Sequence, residues 1–175
     1  MQRHQLEHII RAATGITGAQ EFVVVGSQAV LGQFPQAPAD LLVSIEADIF
    51  SFRDPADSDL IDGSIGEGSP FHQTFGYYAH GVGADTAVLP DGWRQRLVPL
   101  RNQNTGGGTG LCLEVHDLAV SKLVAGREKD LTFITGLVRH RLTDAYTIQQ
   151  RLVTTPLDPE RRASCEARLK RLPSP

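Results

Sequence analysis

The chain has 175 residues, 41% of them hydrophobic and 21% charged, with a formal net charge of −3. That length suits one domain with its own core and is too short for two, and the charge excludes a global pull toward nucleic acid, so any such binding must use a local patch. Two cysteines without a CxxC pattern, Cys112 and Cys165, argue against a zinc site or a disulfide framework. No signal-type or membrane-spanning apolar run is present, so the expected compartment is the cytoplasm, with no membrane partner.

In chain order, Leu6, Ile9, Ile10 and Ala13 share one face of a first helix, which Gly15 is expected to stop. Glu21 to Val25 reads as a short buried strand, followed by Gly26-Ser27 and a helix from about Gln28 to Gln33. Phe34 to Asp40 is a loop punctuated by proline. Leu41 to Phe50, LLVSIEADIF, is the strongest strand candidate. Asp54-Pro55 has the form of an N-cap with proline at the first helical position, opening a helix to about Ile61. GSIGEGSPFHQ is expected to be loop.

Three more strands are expected over Gly76–Val82, Thr86–Leu89 and Arg96–Leu100, with a turn at Pro90-Asp91-Gly92. Asn102 to Gly110 is a hairpin loop, and Leu111 to Val115 a further strand. Helices fill the rest: Asp117 to about Arg139, Thr143 to Leu152, and Asp158 to about Leu172. The expected fold is α+β in one domain spanning residues 1–175. Its mixed-sheet core runs to about residue 116 and its helical part begins at about 117.

Alternation along LLVSIEADIF places Leu41, Val43, Ile45, Ala47 and Ile49 on one face. Glu46 and Asp48 then project together from the other. Two adjacent carboxylates repel, and a divalent cation turns that repulsion into coordination. The alternative is an exposed pair on a solvated sheet face. In VVVGSQAV, the Gly26-Ser27 turn offers backbone N–H groups and a hydroxyl to a phosphate, or it is simply a tight strand-to-helix connection. In the later helix Lys122, Gly126 and Lys129 share a stripe, and Gly126 in mid-helix either allows close backbone approach or divides two helices.

A GS turn followed about twenty residues later by acid-x-acid resembles the signature of the polymerase-β-like nucleotidyltransferases. The blocks VVVGSQAVLGQFPQAP, GSPFHQTFGYYAHGV, TAVLPDGWRQRLVPL and LCLEVHDLAVSKLVAGREKDL are similar to a bacterial family of nucleotidyltransferases without an assigned substrate. That family is related to AbiEii-type toxins of toxin–antitoxin systems. The resemblance implies a minimal polymerase-β-like fold. It implies a nucleotide and metal site at Gly26, Ser27, Glu46 and Asp48, completed by Lys122 and Asp130. Glu114, at the end of LCLEV, is the positional candidate for a third carboxylate, while Asp117 is expected to cap its helix.

On that basis Glu46 and Asp48 hold Mg²⁺ (or Mn²⁺), the GS turn holds phosphates, and Lys122, Arg127 and Lys129 add positive charge. The expected reaction is transfer of a nucleoside monophosphate from an NTP to a hydroxyl of tRNA or protein, as a toxin restrained by an antitoxin protein. The rival is a catalytically inactive module of the same fold that binds nucleotide, RNA or protein. Glu67 and His72 lie on a loop expected to border the site. Arg161, Arg162, Arg168, Lys170 and Arg171 form a basic helix that either touches RNA or is solvated.

Overall fold

The structure is a computed structural model describing residues 1–173. Helix α1 (Arg3–Thr17) opens the chain and ends at Gly18, whose φ of 73° suits its left-handed cap. Gly15, expected to stop this helix, instead lies inside it, because its exposed position needs no side chain for packing. Strand β1 (Glu21–Val25) follows, with Phe22, Val23 and Val24 fully buried. The unbroken apolar run reflects a central strand covered on both faces.

A 3₁₀ turn (Ser27–Ala29) and the short helix α2 (Val30–Gln33) succeed it. Strand β2 spans only Glu46–Ser51, less than the ten residues expected. It pairs antiparallel with β1 in a register that sets Val25 opposite Asp48, so β1 ends before residues 41–45 find a partner. A 3₁₀ turn (Ala39–Leu41) and an irregular wall over residues 42–45 stand there instead, leaving Val43 78% exposed and not facing the core.

Helix α3 (Asp57–Ile65) begins a turn later than expected, since Asp54 caps a turn by accepting from the Ala56 amide. Helix α4 (Pro70–Phe75) lies where loop was expected. Ser69 accepts from the His72 amide and Pro70 takes the first turn, the same signal that Asp54-Pro55 carries. Strand β3 (Tyr78–Gly81) pairs parallel with β2. Thr86–Leu89 is no strand: it lies between the Gly83–Asp85 turn and Pro90, with Thr86 exposed and Leu89 buried.

Strands β4 (Val98–Leu100) and β5 (Thr109–Cys112) complete a five-stranded mixed sheet in the order β3-β2-β1-β5-β4. Beyond it stand α5 (Val115–Ala125), α6 (Glu128–Arg139), α7 (Ala145–Val153) and α8 (Pro159–Leu169). Gly126, at φ 64°, ends α5, so the expected single helix is two. The fold is α+β, with a helical C-terminal region.

Close packing fixes which sheet face is which. Gly110 of β5 admits Ile10 of α1 and Val24 of β1, and Gly32 of α2 sits against Cys112. Helices α1 and α2 therefore cover the face that carries Val24, Ile49, Gly110 and Cys112. By the pleat, Glu46 and Asp48 project from the opposite face.

Candidate active site

A cleft of about 880 Å³ opens on that opposite face. Gly26 and Ser27 from the turn after β1, and Glu46 and Asp48 from β2, line one side. Lys122 of α5, with Arg127 and Lys129 at the start of α6, lines another. These residues lie up to about a hundred positions apart in the chain, and the antiparallel β1–β2 register brings the turn and the acid pair together.

Gly26 has φ 68° and ψ −170°, a region open essentially to glycine alone. A Cβ at this position would run into Asp48 Oδ2, so glycine is required both by the turn and by the approach of the carboxylate. The Ser27 hydroxyl makes no hydrogen bond to protein among the described residues and faces the cleft. Next to it, buried Gln28 donates to the Ser44 carbonyl at 3.1 Å and ties the irregular wall before β2 to the turn.

Strand β3 supplies partners for the acids that sequence reasoning missed. Its parallel register sets Tyr78 beside Glu46 and His80 beside Asp48. The Tyr78 hydroxyl donates to Glu46 Oε2 at 3.0 Å, and burial together with that bond pushes the phenol up to about 12. His80 Nδ1 lies 3.2 Å from Asp48 Oδ1, and His80 lines the cleft. Burial and then the charge of Glu46 raise the Asp48 carboxyl above its ordinary value, with His80 and Lys122 opposing. The alternation of Tyr78 and His80 was visible in GYYAHGV, but the strand they would pair with was not.

The acid pair fits a divalent cation. Two carboxylates on one sheet face supply hard oxygen donors, and burial plus the neighbouring Glu46 charge make the Asp48 carboxylate costly without a counter-charge. Magnesium is commonly held by one or two carboxylates together with substrate phosphates and water. Among the described residues no group of three or more His, Cys, Asp or Glu side chains converges on a metal position.

Lys122 is buried, 7% exposed, with Nζ 3.1 Å from Asp130 Oδ1 and 4.6 Å from the centroid of the Phe133 ring. Burial lowers its pKa despite the Asp130 charge. Asp130 is fully buried and also receives Arg127 Nε at 2.7 Å. Burial alone would raise its carboxyl, but the Arg127 hydrogen bond and the Lys122 charge outweigh it and hold the group low. Asp130 therefore faces the two cations and not the acid pair: it positions Lys122 and Arg127. Gly126 bends the chain between α5 and α6 so that this clamp can close.

Glu114 is not in the cleft. It caps α5, accepting from the His116 amide at 3.1 Å and lying 2.7 Å from His116 Nδ1. The expected capping residue, Asp117, is instead fully buried and paired with Arg96 through contacts of 2.8 and 3.0 Å. The Glu114 carboxylate reaches the first-turn amides from three residues earlier in the chain, which leaves Asp117 for the core. Glu67 and His72 also lie outside the cleft lining, though the His72 ring packs 4.6 Å from that of Tyr78. In α8, Arg168 and Arg162 cap α5 and α7 through backbone carbonyls, while Arg161, Lys170 and Arg171 are exposed.

A five-stranded mixed sheet with a glycine-serine turn after one inner strand and an acid pair on the next, backed by helices, has the architecture of a minimal nucleotidyltransferase. Residues 4–162 match the family described as nucleotidyltransferase of unknown function (DUF6036), and the chain belongs to that family. No curated protein and no solved structure matches the chain significantly.

Proposed function

We propose that this protein transfers a nucleoside monophosphate from an NTP to a hydroxyl acceptor, with Glu46 and Asp48 as ligands of Mg²⁺ (or Mn²⁺). The observation that carries this reading is the convergence of Gly26, Ser27, Glu46, Asp48 and Lys122 on one cleft. The cation, when bound, supplies charge neutralisation on the phosphates and activation of the attacking oxygen.

The chain's own residues do the rest. Ser27 and the turn amides hold phosphate oxygens, and Gly26 lets the backbone approach. Lys122, held by Asp130, and the exposed Arg127 and Lys129 offset the negative charge that grows on the leaving pyrophosphate. The acceptor oxygen bonds to the α-phosphorus as the bond from that phosphorus to the bridging oxygen breaks. In the tautomer whose Nδ1–H is donated to Asp48, His80 Nε2 is left as an acceptor in the cleft and takes the hydroxyl proton.

The likeness to AbiEii-type toxins supports a tRNA or protein acceptor and an antitoxin partner. The position of Glu114 outside the cleft favours the second reading, a nucleotide-binding module without turnover. Incubation with each of four labelled NTPs, Mg²⁺, total RNA and total protein separates them. Label transfer that His80→Ala and Asp48→Asn abolish supports the enzyme. Tight Mg²⁺–NTP binding without transfer to any acceptor supports the module.

A further inference from the structure

The sheet face that carries the acid pair continues beyond it. By the two-residue period, Phe50 and Phe52 follow Glu46 and Asp48 on the same side of β2, and their rings meet edge to face at 5.5 Å. Phe50 is buried, whereas Phe52, just past the strand end, is 46% exposed. The half-buried Trp93 ring lies 6.2 Å from Phe52, tilted by 35°. The Arg94 guanidinium sits 5.2 Å from the Phe52 centroid and 5.4 Å from that of Trp93.

A depression of about 270 Å³ adjoins this group, lined by Phe52, Arg53 and Arg101, with Ser51, Thr109 and Glu21. Arg53 is bonded to Asp57 at 2.8 Å. Among the described residues Arg94 and Arg101 have no carboxylate partner. Glu21 is the one acid in the depression. In a chain of net charge −3, this concentrates cations around an exposed phenylalanine ring and a half-buried tryptophan ring, with the Arg94 side chain lying over both.

The geometry points to a binding site for single-stranded nucleic acid, with an unpaired base stacked on Phe52 and Trp93 and the neighbouring phosphates on Arg94 and Arg101. Aromatic faces with flanking arginines suit an unpaired base, because every base has a π-face and every step carries a phosphate. A protein partner offers no such repeat of flat ring and negative charge. Phe52 lies four residues on from Asp48, one past the end of β2 and about 13 Å away at the rise of a strand, and it is absent from the cleft lining, so the platform is separate from the nucleotide cleft. It stands whether or not the chain catalyses transfer.

Trp93 is the chain's single tryptophan, which makes the test direct. Twelve-nucleotide single-stranded RNA and DNA oligomers are titrated into the full chain while tryptophan fluorescence and oligomer anisotropy are followed. The expected result is quenching that saturates with the anisotropy rise and weakens steeply with salt. Phe52→Ala is expected to weaken binding about tenfold or more, and Phe52→Tyr to retain it. Arg101→Ala is expected to lower the salt slope by about one. Saturating Mg²⁺–NTP should leave the oligomer bound. Absence of binding by the wild type at low salt overturns the site. So does equal affinity in a folded Phe52→Ala variant, or displacement of the oligomer by NTP.

Discussion

Lys122 Nζ and Asp130 Oδ1 lie 3.1 Å apart, and both side chains are buried at the joint between α5 and α6. The pair stands behind one wall of the cleft, with Lys122 reaching it and Asp130 anchoring Lys122 and Arg127 from within. Removing the carboxylate leaves a buried cation without its partner, which typically costs about 3–5 kcal/mol. Asp130→Asn should therefore lower the urea midpoint strongly and weaken Mg²⁺–NTP binding in whatever remains folded. Lys122→Met should lose less stability, because Asp130 keeps Arg127, while nucleotide binding falls by a similar factor. Unchanged nucleotide affinity in folded Asp130→Asn would remove its positioning role.

Two glycines give opposite outcomes for the same substitution. Gly26→Ala forces a Cβ into Asp48 Oδ2 at a backbone conformation closed to alanine, so a loss of at least about 1–3 kcal/mol and of nucleotide binding is expected. Gly15→Ala lies in mid-helix with no atom within 4 Å of the new Cβ, so a gain of about 0.5–1 kcal/mol is expected. Thermal melts of the two variants beside the wild type check both signs.

The acid pair predicts a metal-dependent response. Mg²⁺ with NTP should raise the melting temperature of the wild type by mass action. In a Glu46→Gln/Asp48→Asn double variant that rise should vanish, although the metal-free protein melts no lower, because the repulsion between the carboxylates has gone. An undiminished rise in the double variant would rule out the metal role.

His116 predicts a pH dependence far from the cleft. Burial lowers its pKa, but the carboxylates of Glu114 at 2.7 Å and Asp144 at 3.4 Å outweigh it and raise the group above its ordinary value. A folded-state pKa raised above the unfolded one, about 6.5, stabilises the protein fully below that value. The contribution fades as pH rises through the folded value. His116→Gln should therefore melt well below the wild type near pH 6, with the gap closing toward pH 9. A gap that stays constant from pH 6 to pH 9 would show that no proton is involved.

Local chemistry was legible wherever a residue's own neighbours in sequence decide its state. EFVVV became β1 because a continuous run of β-branched residues suits a strand buried on both faces. The alternation through Glu46 and Asp48 correctly set both acids on one face, since the pleat is a property of the strand itself. The α+β class also followed from the order of these local signals. Ser69-Pro70 carried a cap signal as plain as Asp54-Pro55, yet the glycines around it hid the helix that follows.

What the chain could not declare locally was pairing and partner. The β1–β2 register, not any residue of LLVSI, ended β2 at Glu46, because no strand remained opposite residues 41–45. The parallel β2–β3 register brought Tyr78 and His80 to the acids across about thirty residues of sequence. Glu114 and Asp117, three residues apart at a helix start, both left their expected roles: Glu114 took the cap, and Asp117 went into the core, where Arg96 from before β4 neutralises it. Sequence alone determined which groups can donate, accept, coordinate or turn the chain. Tertiary structure alone decided which of them meet, because ion pairing, desolvation and strand register depend on contacts between segments that sequence distance does not encode.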